Sequence, residues 1–454
     1  MRKFNLDIFP KTKDAYIVGG SVRDIFLNRC PQDFDIVVKK NHEKFARQIA
    51  QKNHGHLVKI GKPGKEIIRV ILKNHTLDIS NIKGDSIQND LRTRDFTINA
   101  IAYSLNTGDI IDCTGGIRDL ENKTIRIISK NVFQKDPIRL LRAYRISSEI
   151  GFTIETQTFS LIKNDSVLIQ NSAGERIKDE LFKIFTTSSS HKYITMMAES
   201  GLLQAIFPEL SRLKGCVQNK HHSYDAYDHT LEAYRHLEKF INGQCDSITH
   251  IFDGWLDNEI KHLLKYSILL HDIGKPGSKT TDTAGKIHFF NHDNKSAELA
   301  KKICNRMKFS NREKNIVDLI IRNHLKPLFL FNSQLKNQLK HKTITRFFIT
   351  CNKLTPWILL HFIADTYGKK EIINDNIIRF AIKLMTDFTL KFSIEQTKPA
   401  LINGNDLIAE FRLPPSPIFT TILNSVEEAR LSGKIQNKKK ALKLAKKIIS
   451  DLSG

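Results

Sequence analysis

Apolar positions in the first third of the chain fall in short runs rich in β-branched and aromatic residues, which predict strands. Ala15-Tyr16-Ile17-Val18 runs into Gly19-Gly20, Phe34-Asp35-Ile36-Val37-Val38 follows, and Ile67 to Leu72, Leu77 to Ser80 and Ile110-Ile111-Asp112 continue the series. A helix is predicted over Val22 to Leu27, and Thr97 to Ser104 begins like another. Strands and helices mixed in this way predict an α+β unit with one small mixed sheet. Beyond about residue 136 the pattern changes: Ile138 to Ile150, Glu175 to Phe185 and Lys192 to Ala198 carry apolar residues at i, i+3 and i+4, the spacing of amphipathic helices. The expectation is a head over 1–135, an all-α neck over 136–215, a helical domain over 220–370 and C-terminal helices over 375–454, with no further strands.

Composition narrows the class. With 454 residues, 40% hydrophobic and 26% charged, the chain reads as a soluble globular protein of several domains. Lys and Arg total 71 against 48 Asp and Glu, a net charge of +23 that favours polyanionic partners such as nucleic acid. The six cysteines (Cys30, Cys113, Cys216, Cys245, Cys304, Cys351) form no CxxC pair, which argues against a disulfide framework or zinc ribbon and fits a reducing compartment. No signal-like apolar region opens the chain and no apolar run reaches about 18 residues, so a cytoplasmic protein with no membrane partner is expected. The lysine-rich stretch from Lys434 to Lys440 fits a solvated helix face or an RNA contact.

Candidate chemistry begins at Val18-Gly19-Gly20-Ser21-Val22-Arg23-Asp24, where two glycines between a strand and a helix let the backbone approach a phosphate closely. Alone, such a turn is only a turn. The next strand starts Asp33-Phe34-Asp35, and its two-residue period points both acids to one face, about 6–7 Å apart. That spacing suits two divalent cations bridging the acids to a nucleoside triphosphate; alone, it also fits two solvated acids on an edge strand.

Together these blocks resemble the signature of class II tRNA nucleotidyltransferases and bacterial poly(A) polymerases, members of the DNA polymerase β superfamily. Three further blocks follow in that family's order: Asp90-Leu91-Arg92-Thr93-Arg94-Asp95-Phe96-Thr97-Ile98-Asn99-Ala100, Asp112-Cys113-Thr114-Gly115-Gly116-Ile117-Arg118-Asp119-Leu120, and Asp136-Pro137-Ile138-Arg139-Leu140-Leu141-Arg142-Ala143-Tyr144-Arg145. The resemblance implies that Asp33 and Asp35 hold Mg²⁺ and carry catalysis, and that Gly20, Ser21, Arg23, Arg94, Asp95, Asn99 and Arg142 bind the nucleotide. Asp95 would contact the ribose hydroxyl, while Asp136 and Arg139, at i and i+3, would read the base edge. The implied reaction is attack of an RNA 3′-OH on the α-phosphate of CTP or ATP with release of pyrophosphate, and the implied partner is the tRNA acceptor stem. Asp78 on the strand Leu77 to Ser80 is a candidate third carboxylate or a surface acid. Three departures bear on the product: Lys135 replaces the family's Glu, Thr93 replaces the first of two arginines, and only Asn81 to Asn89 joins that strand to Asp90, where many full CCA-adding members carry a longer loop. CCA, CC-only and A-only addition all remain open, as does poly(A) synthesis.

The second half places His229 in Asp228-His229-Thr230, then His271-Asp272-Ile273-Gly274-Lys275, His292, His324 and Asp365. This series resembles the HD superfamily of metal phosphohydrolases. The resemblance implies a first metal, a transition metal or Mg²⁺, on His229, His271, Asp272 and Asp365. It also implies a second on His292 and His324, with Lys275 neutralising phosphate. The same ligands fit a metal-stabilised helical scaffold without activity, and a third alternative is an HD phosphohydrolase whose head only binds RNA.

Overall fold

The structure is a computed structural model and describes residues 6–10, 12–31, 33–61, 66–217, 225–255, 258–369 and 374–453. The expected boundary near residue 220 and Gln32 beside the acidic strand lie outside the described residues. The chain forms two compact units, one comprising Met1–Thr187 with Tyr193–Ile206, the other Ser188–Lys192 with Phe207–Gly454.

The first unit is built on a seven-stranded sheet of β1 (Ala15–Val18), β2 (Asp33–Val38), β3 (His56–Ile60), β4 (Ile67–Ile71), β5 (Thr76–Asn81), β6 (Ile101–Ser104) and β7 (Ile110–Asp112), in the order β3-β4-β5-β2-β1-β6-β7. Only β2 and β5 pair in parallel. β2 is the central strand: Phe34, Ile36 and Val38 are buried on one face, and on the other Val37 is buried while Asp33 and Asp35 are exposed. The register sets Asp35 opposite Val18 on one side and Asp78 on the other, so the Gly19-Gly20 turn leaves β1 directly beside the acids. Helix α1 (Gly20–Phe26) carries Gly20, Ser21 and Arg23, helix α2 (Arg139–Ile150) carries Arg139 and Arg142, and the connecting segments carry Arg94, Asp95, Asn99 and Asp136.

Two expectations are corrected here. The segment that begins like a helix makes only a 3-10 turn, Thr97–Asn99, and then becomes β6, because the β-rich run Ile101–Ser104 completes the ladder beside β1. Strands also persist beyond residue 136, as the two-residue pairing Thr124–Ile125 with Thr153–Ile154 and the hairpin Lys279–Thr281 with Ile287–Phe289. β3 gave no sequence signal, since its five residues are all exposed and lack an alternating face.

The second unit is chiefly helical. Its helices include α3 (Ala226–Ile241), α4 (Asn258–Leu270), α5 (His292–Arg306), α6 (Asn311–Asn323) and α7 (Thr355–Tyr367). The stretch His341–Tyr367 is long and apolar enough to cross a membrane by length and composition, but it is 72% buried, broken by a 3-10 turn at Asn352–Leu354, and forms core. A Cβ on Gly368 would lie 2.9 Å from the Ala233 backbone and Cβ, so the glycine permits α3 and α7 to meet closely. Near the C-terminus the Asn403 side chain accepts from the Asn405 and Asp406 amides and Asp406 returns the bond, a capping box that starts the helix Gly404–Phe411. Leu407, Ile422, Val426, Ala441 and Ala445 pack the small core that this helix shares with Ile418–Leu431 and Lys438–Ser453.

A buried ion pair fastens α3 to α4: Lys265 Nζ donates to Glu238 Oε1 at 2.8 Å, and Ser190 Oγ, bonded to Tyr234, joins both. Both charged side chains are at most 6% exposed. Glu238→Ala should therefore destabilise this unit by about 3 kcal/mol by stranding an ammonium, whereas a Glu238→Leu/Lys265→Met double variant should lose far less. Thermal unfolding followed by circular dichroism tests this; equal losses in both variants would show that packing, not the stranded charge, is the cause.

Candidate functional site

In the first unit five of the predicted residues, Arg94, Asp95, Asp136, Arg139 and Arg142, line one cleft of about 260 Å³ together with Val37, Ser80, Lys83, Asp90, Thr93 and Arg176. Gly19 has φ 78°, a conformation that favours glycine, and a Cβ there would lie 3.0 Å from Asp35 Oδ2 and 3.1 Å from Arg94 Nη1. The turn therefore sits tight against a carboxylate and a guanidinium at once. Ser21 is buried with its hydroxyl on the Val18 carbonyl at 3.1 Å, so its side chain closes the turn.

Asp33 and Asp35 share one face, as their spacing predicts. The Asp35 side chain reaches solvent, but crowding by the cleft raises its pKa, and the charges of Asp78 and Asp33 push the same way against Arg94 and Arg142. Two acceptor-only carboxylates on one face suit a divalent cation. Asp78, opposite Asp35 in the register, is held by Arg69 in a fork, Nε to Oδ1 and Nη2 to Oδ2, both 2.8 Å.

Asp95 is the hub of the cleft. Oδ1 accepts the Phe96 amide at 2.9 Å and Asn99 Nδ2 at 3.1 Å; Oδ2 accepts Arg142 Nε at 2.9 Å and Nη2 at 2.7 Å. Four donors fill the roughly four lone-pair sites of a carboxylate, so a ribose hydroxyl would have to displace one of them. In this structure Asp95 holds Arg142 and Asn99. Asn99 Oδ1 in turn accepts Arg23 Nη1 at 2.9 Å, and Arg23 Nε binds Asp24 at 2.8 Å. One hydrogen-bonded chain therefore links the glycine turn to α2.

The Asp136 and Arg139 side chains line the same cleft but do not pair with each other; the two residues meet only through the backbone, Arg139 N–H donating to the Asp136 carbonyl at 3.1 Å. Arg139 donates Nη1 to the Arg94 carbonyl and Nη2 to the Thr93 carbonyl, both 3.1 Å, and Asp136 is gripped by Arg176, which carried no mark in the sequence. Arg94 is anchored on Asp90 at 3.0–3.1 Å, whose other oxygen takes the Lys83 amide at 3.0 Å, so the short connection after β5 is tethered at both ends.

In the second unit α3 and α7 bring His229 Nε2 to 2.8 Å from Asp365 Oδ1, and His271 Nε2 lies 3.1 Å from the same oxygen and 3.2 Å from Asp272 Oδ2. His292 Nε2 is 3.4 Å from Asp272 Oδ1, buried with no hydrogen bond. His271, His292 and His324 each donate Nδ1–H to a backbone carbonyl three residues earlier, at 2.8, 2.8 and 2.6 Å, which turns each Nε2 toward the cluster. Two sets, His229/His271/Asp365 and His271/Asp272/His324, bring three ligand atoms within 4.8 Å of one another. Gly274 makes this possible: a Cβ would stand 2.6 Å from the His292 carbonyl, so only glycine lets the loop reach the start of α5. Burial opposes charge on His271, yet Asp272 and Asp365 outweigh it and lift the ring to about 10. Lys275 Nζ sits 2.5 Å from Asp272 Oδ2. Sequence missed His361, one helical turn before Asp365, whose fully buried ring lies 5.3 Å from that of His271; no HD-like spacing singled it out.

Three family profiles match in order: the Poly A polymerase head domain over residues 15–126, the probable RNA and SrmB-binding site of polymerase A over 151–214, and tRNA nucleotidyltransferase domain 2 (putative) over 280–445. An A-adding tRNA nucleotidyltransferase of Deinococcus radiodurans is 29% identical over 77% of this chain and 76% of its own. A CC-adding tRNA nucleotidyltransferase of Synechocystis is 26% identical over 98% and 95%. A Thermotoga maritima CCA-adding enzyme in complex with tRNA shares the fold, with TM-score 0.63 and 22% identity over 97% of this chain and 91% of that one.

Burial would raise the Asp95 pKa, but Arg142 and the hydrogen bonds win and hold it at about 2, below the ordinary 3.8. A depressed carboxylate stabilises the fold above the unfolded value, and that stability is lost as pH falls from about 4 through 2. Asp95→Asn should remove about 2 kcal/mol at neutral pH and flatten the acid limb between pH 4 and 2. Urea denaturation across pH checks it; an unchanged acid limb would mean that Asp95 is not held by Arg142 in solution.

Proposed function

Because the chain belongs to the tRNA nucleotidyltransferase and poly(A) polymerase family of polymerase-β-type nucleotidyltransferases, we propose that it adds CMP, AMP or both to the 3′ end of tRNA. The observation that carries this reading is that Asp33 and Asp35 share one face of β2 beside the glycine turn, that Gly19 closes on both Asp35 and Arg94, and that Arg94 lines one cleft with Asp136 and Arg139. Mg²⁺ bound by Asp33 and Asp35 would supply charge neutralisation of the triphosphate and activation of the RNA 3′-OH. Arg94 and Arg142 place fixed positive charge along the cleft, where developing negative charge on the leaving pyrophosphate needs it, and Arg23 lies behind the glycine turn.

Base choice follows from donor and acceptor order. A carboxylate only accepts and a guanidinium only donates, so Asp136 beside Arg139 matches an amino group beside a ring acceptor. Cytosine and adenine present that order at N4/N3 and N6/N1, whereas uracil and guanine present the reverse. The excess positive charge, +23 over the chain, supports a grip on the acceptor stem through phosphates. Free cysteines and a tRNA substrate both fit work in the cytoplasm. The tethered short connection between β5 and Asp90 supports incomplete addition, CC or A alone, and relatives that match over most of the chain bear CC-adding and A-adding names.

A second reading concerns the other unit. The three Nδ1-anchored histidines and the orphaned His292 Nε2 support an HD-type centre in which His229, His271, Asp272 and Asp365 hold a transition metal or Mg²⁺, with His292 and His324 available to a second ion. When bound, the metal would polarise water or a phosphoryl oxygen. Lys275, which pairs with Asp272 here, would help neutralise phosphate charge, so hydrolysis of a 2′,3′-cyclic phosphate or 2′-phosphate at a damaged RNA 3′ end is the activity that this chemistry supports.

Labelled CTP and ATP offered to tRNA ending at the discriminator base, at CC or at CCA test the first reading. Addition limited to CC on the shortest form, or to A on the CC form, is expected, and Asp33→Ala or Asp35→Ala should cut it at least about 100-fold. Full CCA synthesis would contradict the loop argument, long A tails would point to a poly(A) polymerase, and no incorporation would sink the transferase reading. For the second unit, elemental analysis of purified protein should find about one or two metal ions per chain, lost in His271→Ala; metal content unaffected by that change would refute the centre.

A further inference from the structure

Arg176 stands on the helix Gly174–Thr186 and reaches Asp136 with a two-point fork, Nη1 to Oδ1 and Nη2 to Oδ2, both 3.0 Å. The family-like partner for base reading, Arg139, is engaged elsewhere on two backbone carbonyls, and Lys135 stands where an acid would otherwise be at hand. Asp136, Arg139 and Arg176 line the same cleft. Asp136 is 31% exposed and sits in extended backbone (φ −153°, ψ 97°) just before α2, so its carboxylate would turn freely between rotamers without a partner.

On the nucleotide reading given above, we propose that Arg176 is the positioning residue for base selection in this chain. It fixes the plane of the Asp136 carboxylate with one bond to each oxygen. A carboxylate has about four acceptor sites, so one on each oxygen stays open toward the cleft. Held so, Asp136 accepts the amino group of cytosine or adenine and opposes the carbonyl oxygen of uracil or guanine at the same place. A freely turning carboxylate gives way, and a water fills the gap between two acceptors. Arg139 supplies the matching donor independently, because carbonyls of the Asp90–Ala100 segment fix it rather than Asp136. Selection therefore depends on two separately anchored groups, one of them held from a helix outside the recognised blocks.

The test is kcat/KM for each of CTP, ATP, UTP and GTP on a fixed tRNA, with the full-length protein and variants that keep the wild-type melting temperature. Arg176→Ala should lower the preference of the better of CTP and ATP over UTP and GTP about tenfold, chiefly through KM for the preferred nucleotide. Arg176→Lys should restore it only in part, since a point charge cannot hold both oxygens. In an Asp136→Ala background Arg176→Ala should change selectivity no further, because it acts through that carboxylate. Equal losses for all four nucleotides, an unchanged preference, or additive effects with Asp136→Ala would each overturn the proposal. A wild-type protein that incorporates no nucleotide would instead remove the reading on which it rests.

Discussion

The buried contact between Asp95 and Arg142 is the constraint on which the first unit depends. A carboxylate 6% exposed is stable as an anion only with its acceptor sites filled, and Phe96, Asn99 and Arg142 fill them. Satisfying Asp95 fixes Asn99, which fixes Arg23 behind the glycine turn, and fixes Arg142 on α2, whose far side meets Glu180. The cleft is thus shaped by a requirement of burial. Its surface groups inherit their positions: Arg94 on Asp90, Arg139 on the carbonyls beside Asp95, and Asp136 on Arg176.

The second unit follows the same logic with a different donor set. There the close approach of α3 and α7, permitted by Gly368 against Ala233, brings His229 to Asp365, and Gly274 lets the His271-Asp272 loop reach α5. Backbone carbonyls take the Nδ1 protons and orient the Nε2 atoms inward. Histidines that need fixed tautomers and carboxylates that need positive charge are both costly to bury, so a cluster of this composition makes physical sense around a cation.

Much of this was legible from residue order. The alternation in Asp33-Phe34-Asp35 states that both acids share a face, and the sheet register confirms it; the glycine pair after β1 similarly marks a close approach that Asp35 and Arg94 make. Strands β1, β2, β4, β5 and β7 follow from their β-branched runs. What could not be read is what depends on distant pairing. β3 has no buried face to pattern it, β6 is a strand only because β1 lies beside it, and Arg176 gains meaning only from Asp136, 40 positions away. Asp95 shows the subtler limit: its identity matched a ribose contact, but its four donors are visible only in three dimensions.

The most direct test of this account is a crystal structure of the protein with Mg²⁺ and a non-reactive CTP analogue. The account predicts metal on Asp33 and Asp35, Asp95 still bound to Arg142 and Asn99, and the cytosine amino group on Asp136 with Arg176 retained. An Asp95 carboxylate swung onto the ribose with Arg142 released, or a base seated away from Asp136 and Arg139, would contradict it.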